Sequence, residues 1–346
     1  MLSFGGGLWL ALVATASAAS VEFTVRETAG QRRFGYPVTA ALELPQRALA
    51  DVNAARLLGA NGRGIVAQFT ALHRWQDGSV RRLDVDFNSS LGPHETESYQ
   101  VELAGGVRQP GKGGLSVNET ADEITVLSSA LAHRIRRDGK PLLTSISNRK
   151  EEYLAAGITT SLAPGKAEVL KHGPLNVTVR LGPVTLEYVS SKSWVKITQC
   201  AAAAQDLSVD ARFALPELPV LWDLGVESWL YGCMRKADQT AVLRQNATGW
   251  RMLTGSADST SVYAIGKRCE GWGHLSDKER VVAFGVAEFG ADGRPSIHMG
   301  GDGRFVARAH GRKLTVYFHV VGQPLHVTAA TSPSSMLAPL VVEVKK

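Results

Sequence analysis

Short runs in which apolar and polar residues alternate recur along the N-terminal part of the chain, and this period of two predicts half-buried strands. The runs are Val21–Val25, Thr39–Leu44, Ile65–Ala71, Val80–Phe87 and Tyr99–Leu103. Asp77 and Gly78 lie between two of them, and an Asp-Gly pair favours the positive φ angles of a tight hairpin turn. Closely spaced strands with little room for a helix predict a small barrel over residues 20–105.

A glycine- and proline-rich linker over residues 106–115 separates this unit from a second set of strand-like runs. The second set extends over residues 116–346, with turns predicted at Asp138-Gly139, Asp292-Gly293 and Asp302-Gly303. Ala201–Gln205 favours one helical turn. The pattern therefore predicts an all-β protein in which a small N-terminal β-barrel is followed by a large β-sandwich.

The first residues have the features of an export signal. Leu8–Ala16 is apolar and uncharged but far shorter than the roughly 20 residues that a membrane helix needs. Ala16-Ser17-Ala18 follows, which is the small-x-small pattern that signal peptidase cleaves. We predict a signal peptide at residues 1–18 and a secreted, extracellular protein with no membrane span. A buried N-terminal strand is the alternative.

Export gives meaning to the Asn-x-Ser/Thr sequons, which predict surface N-glycosylation in a eukaryotic secretory pathway. They occur at Asn88, Asn118, Asn176 and Asn246. Coincidence in a bacterial export product is the alternative.

An oxidising compartment would also permit a disulfide among the three cysteines. Cys233 and Cys269 flank one region rich in glycine and aromatic residues, so we predict that they pair. Cys200 ends a strand-like run and is expected to be buried and inert. The cysteine spacing matches no zinc pattern, and no metal or cofactor is predicted.

The 346 residues carry a formal net charge of +6, dispersed along the chain. Nucleic-acid binders usually show a denser basic stripe, so a nucleic-acid partner is not predicted. In an exported protein a positive excess fits attraction to an acidic polysaccharide, although it also fits simple solubility.

One group of motifs is specific enough to suggest a family. The motifs are Phe34-Gly35-Tyr36-Pro37-Val38, Val66-Ala67-Gln68-Phe69, Arg74-Trp75-Gln76-Asp77-Gly78-Ser79-Val80 and Leu83-Asp84-Val85-Asp86-Phe87. In this order they resemble the N-terminal RIFT-type barrel of YetA-like proteins and exo-rhamnogalacturonan lyases. Trp75 and its turn have a structural interpretation as well, because Asp-Gly makes the turn and the indole packs one flank of the hairpin.

The rest of the chain resembles, more weakly, the galactose-mutarotase-like supersandwich modules that follow that barrel. The matching stretches are Trp222–Val226, Gly271–Arg280 and Thr331–Leu340. Characterised lyases of this kind carry a large helical toroid that holds much of the active site, and no segment here is long and periodic enough for one. The resemblance therefore implies a carbohydrate context and does not carry over catalysis.

A polysaccharide lyase needs a base beside a uronate carboxylate, groups that stabilise the enolate, and an acid for the leaving oxygen. Residues 222–280 are richest in suitable side chains. Tyr231 or His274 is predicted as acid/base, Arg235 and Arg280 as carboxylate clamps. The predicted sugar-binding residues are Trp229, Trp250, Trp272 and Glu279. A core or solvated-turn role is the alternative for each of these residues.

Two other chemistries use residues of the same region. A glycosidase would need two facing carboxylates, for which the candidates by type are Asp223, Glu227, Asp277 and Glu279. A mutarotase-like reaction would need a histidine and a carboxylate, and the available histidines are His274, His298, His310, His319 and His326.

The leading hypothesis is therefore action on an acidic polysaccharide by lyase-type elimination. A non-catalytic carbohydrate-binding protein is the alternative from another class, and an adhesion module with a protein ligand is a third. A long groove lined by aromatic and cationic side chains would favour a polysaccharide, a flat apolar patch a protein, and a compact pocket with a perturbed His or Tyr an enzyme.

Overall fold

The structure, a computed structural model, describes residues 20–103, 113–129, 131–227, 230–256, 259–289, 294–322 and 333–345. Regular structure within these ranges is almost entirely β-strand, with a 3₁₀ turn at Val52–Ala54 and a helical turn at residues 333–337. The predicted all-β class is therefore confirmed. No helix in the described ranges has the length and apolar character needed to cross a membrane. The predicted signal peptide and most of the predicted linker lie outside the described residues.

The N-terminal unit contains eight strands in two sheets. The strands are β1 (Ser20–Arg26), β2 (Tyr36–Glu43), β3 (Arg56–Gly59), β4 (Gly64–Ile65), β5 (Ala67–Arg74), β6 (Val80–Ser89), β7 (Thr96–Glu102) and β26 (Val341–Val344). The sheet orders are β26-β1-β7-β3-β4 and β2-β6-β5. The predicted hairpin is confirmed, with Gly78 at φ 84° between β5 and β6. This pairing leaves the two sheets separate, so a closed barrel is not confirmed.

One domain boundary was wrong. Residues up to 346 were assigned to the sandwich, but β26 pairs antiparallel with β1, placing Val344 opposite Phe23. The chain therefore returns at its C-terminal end to complete the first sheet of the N-terminal unit. This pairing covers an edge of β1 that would otherwise expose unpaired backbone groups.

The second unit contains a four-stranded sheet and a fourteen-stranded sheet. The four-stranded sheet, in the order β11-β10-β9-β8, is built from β8 (Leu115–Glu119), β9 (Glu123–Ser128), β10 (Leu131–Arg136) and β11 (Ser145–Ser147). Its buried residues, such as Ile124 and Ile135, share one core with the large sheet.

The large sheet follows the order β13-β14-β15-β16-β25-β23-β22-β17-β18, and β12, β19, β20, β21 and β24 pair off this path. Its first strands are β12 (Leu154–Thr160), β13 (Ala167–His172), β14 (Asn176–Leu181), β15 (Val184–Val189), β16 (Trp194–Phe213), β17 (Val220–Val226) and β18 (Leu230–Met234). The others are β19 (Thr240–Asn246), β20 (Gly249–Ser256), β21 (Ser259–Gly266), β22 (Cys269–Ser276), β23 (Val281–Val286), β24 (Ser296–Gly300) and β25 (Arg304–Val321).

Two long strands, β16 and β25, hold the large sheet together through one antiparallel ladder. The helical turn predicted at Ala201–Gln205 is wrong, because these residues belong to β16 and form an irregularity in its register between Cys200 and Gln205. Alanine has the highest intrinsic helix propensity, but propensity is a small effect, and the ladder on both sides of the segment outweighs it. Cys200 is exposed there, contrary to its predicted burial.

The two units meet at a buried polar network between β6 and β13. The ammonium of Lys171 lies 2.8 Å from Asp84 Oδ2 and 3.1 Å from Asp86 Oδ2. All three residues are buried. Burial disfavours the ammonium, but the carboxylates of Asp86 and Asp84 outweigh it and raise the pKa of Lys171.

Amide groups complete the junction. Gln68 Oε1 accepts hydrogen bonds from the backbone N–H groups of Leu175 and Asn176, and its Nε2 donates to the Asn176 carbonyl at 2.9 Å. Asn176 Nδ2 donates to Asp86 Oδ1 at 2.9 Å. Charged and amide groups of both units therefore bond directly across this interface.

The same contact corrects one predicted glycosylation site. Asn176 is 1% exposed and its Nδ2, the atom that would carry a glycan, is hydrogen bonded inside the junction. A surface sequon at Asn176 is therefore wrong for the folded chain. Asn88, Asn118 and Asn246 are exposed, and their glycosylation stays a prediction.

We expect Lys171→Met to destabilise the protein by about 3–5 kcal/mol, because it leaves two buried carboxylates without their cation. Urea unfolding would measure the change. Lys345→Met is the matched control, since Lys345 pairs with Glu22 at 2.7 Å on the surface and its loss should cost about 1 kcal/mol or less. Equal losses of stability in the two variants would contradict a stabilising role for the buried contact of Lys171 with Asp84 and Asp86.

A second prediction concerns His133, which is 1% exposed and packs against the Tyr188 ring with centroids 4.9 Å apart. Burial lowers the pKa of His133 to about 4. The unfolded chain therefore binds a proton near pH 6.5 that the folded chain refuses until about pH 4, so stability falls as pH drops through this window.

His133→Gln keeps a side-chain N–H donor and removes the titrating group. The pH dependence of the free energy of unfolding should then become shallower by up to about 1.4 kcal/mol per pH unit between pH 6.5 and 4. His73→Gln, at an exposed histidine, should leave the slope unchanged. An unchanged slope in His133→Gln would contradict the prediction, because it would mean that His133 binds its proton equally well in the folded and the unfolded chain.

Candidate functional site

A histidine and a carboxylate meet on the outer face of the large sheet. Asp223 on β17 lies directly opposite His274 on β22, and directly opposite residues in an antiparallel pair share a face. His274 Nδ1 is 2.7 Å from Asp223 Oδ1. Because an ionised carboxylate only accepts, Nδ1–H is the donor and Nε2 becomes the basic ring nitrogen.

The same row continues across the sheet in both directions. Tyr231 on β18 lies opposite Asp223, and on the other side Ala283 on β23 lies opposite both His274 and His319. Tyr231 and His274 are thus two strand spacings apart, roughly 10 Å. The predicted acid/base candidates therefore share one row of facing residues, although they are far apart in sequence. We call it the histidine row, and its members are Tyr231, Asp223, His274, Ala283 and His319.

His319 is the further titratable group of this row. Its pKa is lowered to about 4 by burial, with the positive charge of Lys192 and the proximity of His274 acting in the same direction. His319 is consequently neutral over the ordinary pH range. The ammonium of Lys192 therefore supplies a positive charge near His319, at the end of the row.

Trp272 lies one pleat away from His274 on the same strand, and the two rings meet edge to face with centroids 6.2 Å apart. Its Nε1 donates to Glu270 Oε2 at 2.6 Å. The ring lies over Gly225, where a Cβ would come within 2.1 Å of the indole. Glycine at position 225 therefore permits the tryptophan to lie flat against β17.

An aromatic cavity of about 580 Å³ opens beside Tyr231 at the edge of the sheet. Trp222, Tyr231 and Tyr263 line it, and the Trp222 and Tyr263 rings meet edge to face with centroids 5.6 Å apart. Tyr231 is 71% exposed. Trp222 is buried, and its indole N–H has no acceptor among the described residues.

Three predicted site residues lie away from this row, and a fourth is not described. Trp250 is buried and donates to Glu227 Oε2 and the Arg268 carbonyl, so it is a core residue rather than a sugar platform. Glu279 is exposed in the β22–β23 turn, where its N–H donates to Asp277 Oδ1. Arg235 is exposed beyond the end of β18. Trp229 lies outside the described residues.

Arg280 is also not a carboxylate clamp for a ligand. Its Nη1 donates to the Ala214 carbonyl at 2.6 Å and to the Glu152 carbonyl at 3.2 Å. Its guanidinium lies over the Tyr153 ring, 5.6 Å from the centroid. These contacts join three segments of the backbone, so the role of Arg280 is structural.

The predicted disulfide is wrong, because all three cysteines are free. Cys233 lies opposite Leu221 of β17, whereas Cys269 lies opposite Val226 on the other side of the same strand. Five positions along a strand correspond to about 17 Å, far beyond the Cα separation of about 4.4–6.8 Å that a disulfide requires.

Sequence reasoning did not single out Tyr263 or the Asp223–His274 pair. Asp223 was considered only as a carboxylate by type, and His319 only as one of several histidines. The pairing depends on the register between β17 and β22, which are separated by four intervening strands, so no local pattern could have specified it.

Comparison with known proteins leaves the family open. No protein-family model matches this chain, and a search of curated proteins found no match. The resemblance to the RIFT-type barrel of exo-rhamnogalacturonan lyases therefore stays a prediction.

The cysteine positions predict the reactivity of each thiol. Cys200 and Cys233 are exposed and should react with a thiol reagent in the folded protein. Burial raises the pKa of Cys269 to about 12, so it should react only after unfolding. Mass spectrometry of the labelled protein would identify each site. Protection of Cys233 together with Cys269, released by a reductant, would restore the disulfide.

Proposed function

We propose that this protein is an exported, carbohydrate-active protein that acts on an acidic polysaccharide by β-elimination. The observation that carries the proposal is the Asp223–His274 pair in one row with exposed Tyr231, beside an aromatic cavity. An elimination needs one group that accepts the proton beside the uronate carboxylate and one that protonates the leaving oxygen.

His274 suits the first role in this proposal. The Asp223 carboxylate orients the imidazole through Nδ1 and stabilises the imidazolium that forms when Nε2 takes a proton. Tyr231 suits the second role, because its phenol can donate a proton to the departing oxygen and then recover it. The bond from carbon to the leaving oxygen breaks as the carbon–carbon double bond forms.

The aromatic cavity supports a sugar as the ligand. The C–H face of a sugar ring is apolar and packs on aromatic rings, and Tyr231 and Tyr263 are both accessible for such contact. Gln239, Thr240 and Ser261 add polar groups to the wall. An apolar cavity with a few polar groups is the usual form of a small-molecule site.

A non-catalytic carbohydrate-binding protein is the second candidate. It is favoured by the burial of His274, which is 6% exposed, while the aromatic cavity is open and has neither His274 nor Asp223 in its lining. A ligand could therefore occupy the cavity without reaching the histidine.

The test is ultraviolet absorbance near the unsaturated-uronate band, with purified protein acting on sodium polygalacturonate and other acidic polysaccharides. Elimination predicts a rise that falls about 10²–10⁴-fold in His274→Ala. Asp223→Asn and Tyr231→Phe should also lose most of the rate. Tyr231→Phe is the safest of the three, because its side chain is largely exposed and the substitution should leave the fold intact.

His172→Ala is the matched control, at an exposed histidine on β13 outside the row. It should keep the wild-type rate. No absorbance rise with any acidic polymer, together with retained binding in an affinity gel, would replace elimination by the binding function. Failure of both measurements would reject the acidic-polysaccharide proposal.

A further inference from the structure

A second polar surface lies on the outer face of β20, β19, β24, β25 and β16, away from the histidine row. Alternate residues of these strands, such as Leu243, Ile297 and Ala307, are completely buried in the sandwich core. The residues between them point outward. One row of facing residues, the arginine row, crosses this face and contains, in order, Arg251, Arg244, Ser296, Arg308 and Ser208.

Arg251 and Arg244 are directly opposite each other, which places two like charges on one face of adjacent strands. Such a pair destabilises a sheet unless an anion lies near it. Arg308 lies two strands beyond Arg244, so the three guanidinium groups extend over about 14 Å of the sheet. None of the three forms a salt bridge with any carboxylate that the structure describes.

In a neighbouring arginine pair, carboxylates of the protein itself neutralise both guanidinium groups. Arg304 and Arg212 are also directly opposite each other, on β25 and β16. Arg304 is paired with Asp210 at 2.7 Å and Arg212 with Asp302 at 3.1 Å. The fold therefore supplies carboxylates to one arginine pair and leaves the adjacent row without them.

His298 lies close enough to several of these arginines for their charges to act on it. It lies one pleat from Ser296 on β24, opposite Val242 on one side and Val306 on the other. Burial lowers its pKa to about 4, and the charges of Arg308, Arg244 and Arg304 act in the same direction. A neutral imidazole among cations can donate a hydrogen bond to an anion without needing its own counter-charge.

The surface is continuous with the aromatic cavity. A cavity of about 240 Å³ beside His298 and Arg304 shares Thr240 with the aromatic cavity at Tyr231. It also shares Arg308 with a larger cavity of about 850 Å³, where His310 Nδ1 lies 2.9 Å from Asp206 Oδ1. Three cavities thus follow one another along the face.

We propose that Arg244, Arg251 and Arg308 form a binding track for an anionic polysaccharide, which continues from the aromatic cavity across the outer face of β19, β24 and β25. The proposal rests on the proposed function for the sugar nature of the polymer, but it uses none of the residues of the histidine row. A polymer with regularly spaced carboxylates or sulfates meets arginines about 14 Å apart, whereas a single small anion meets one or two of them. The aromatic end supplies the stacking surface for its rings.

The test compares two triple variants that remove the same charge. Arg244→Ala, Arg251→Ala and Arg308→Ala together remove the track. Arg63→Ala, Arg134→Ala and Arg149→Ala together remove three exposed arginines elsewhere. Binding of sodium polygalacturonate by titration calorimetry should weaken by about tenfold or more in the first triple and change little in the second. Wild-type affinity should fall between about 0.05 M and about 0.3 M salt.

Equal affinities of the two triple variants would overturn the track, because net charge alone would then explain binding. Tighter binding of single-stranded DNA than of polygalacturonate at the same salt, lost in the first triple, would overturn the polysaccharide as its ligand. His172→Ala, at an exposed histidine outside both the track and the histidine row, should bind like the wild type. Binding that is lost only in the first triple therefore supports the track even where wild-type protein produces no unsaturated uronate and elimination fails.

Discussion

The arrangement of the two units depends on one buried ammonium group that faces two buried carboxylates. Lys171 comes from the sandwich, and Asp84 and Asp86 come from the N-terminal unit. Removing either partner within the junction would leave an unpaired charge in a buried site, which is among the costliest defects of a fold. Burial raises the pKa of Asp86, although the charge of Lys171 acts in the opposite direction. The backbone assists this contact: the register of β13 shifts between Val169 and Lys171, and the lysine after the shift is buried.

The junction determines which parts of the large sheet remain open. Trp194 and Ala283 on its outer face belong to the core of the N-terminal unit, together with Met336 from the helical turn at residues 333–337. Leu337 approaches Gly285 so closely that a Cβ there would lie 3.0 Å from it. The histidine row therefore lies at the border of a covered region. The arginine row, on the other half of the same sheet, has no such cover from the described residues.

In the proposed function, these two regions divide the chemistry that a polysaccharide needs. The Asp223–His274 pair can move a proton, and the aromatic cavity beside Tyr231 can hold a sugar ring. The three arginines without carboxylate partners can attract the charge of a polymer over a longer distance. The predicted carboxylate clamp Arg280 belongs to neither region, because backbone carbonyls already occupy its guanidinium. The cavities and the arginine row together combine aromatic and cationic side chains, which supports the proposed polysaccharide ligand over a protein ligand.

The alternating pattern by itself determined the all-β class, most strand positions and the hairpin at Asp77-Gly78, because these depend on local periodicity and turn chemistry. It could not determine which outward residues would be covered. Asp84 and Asp86 alternate with apolar residues as on a solvated strand, yet both are buried, because another unit supplies their cation. The free cysteines, the return of β26 to β1, and the meeting of Asp223 with His274 follow from strand order and register. Those are set by contacts between distant segments, so only the tertiary structure decided them.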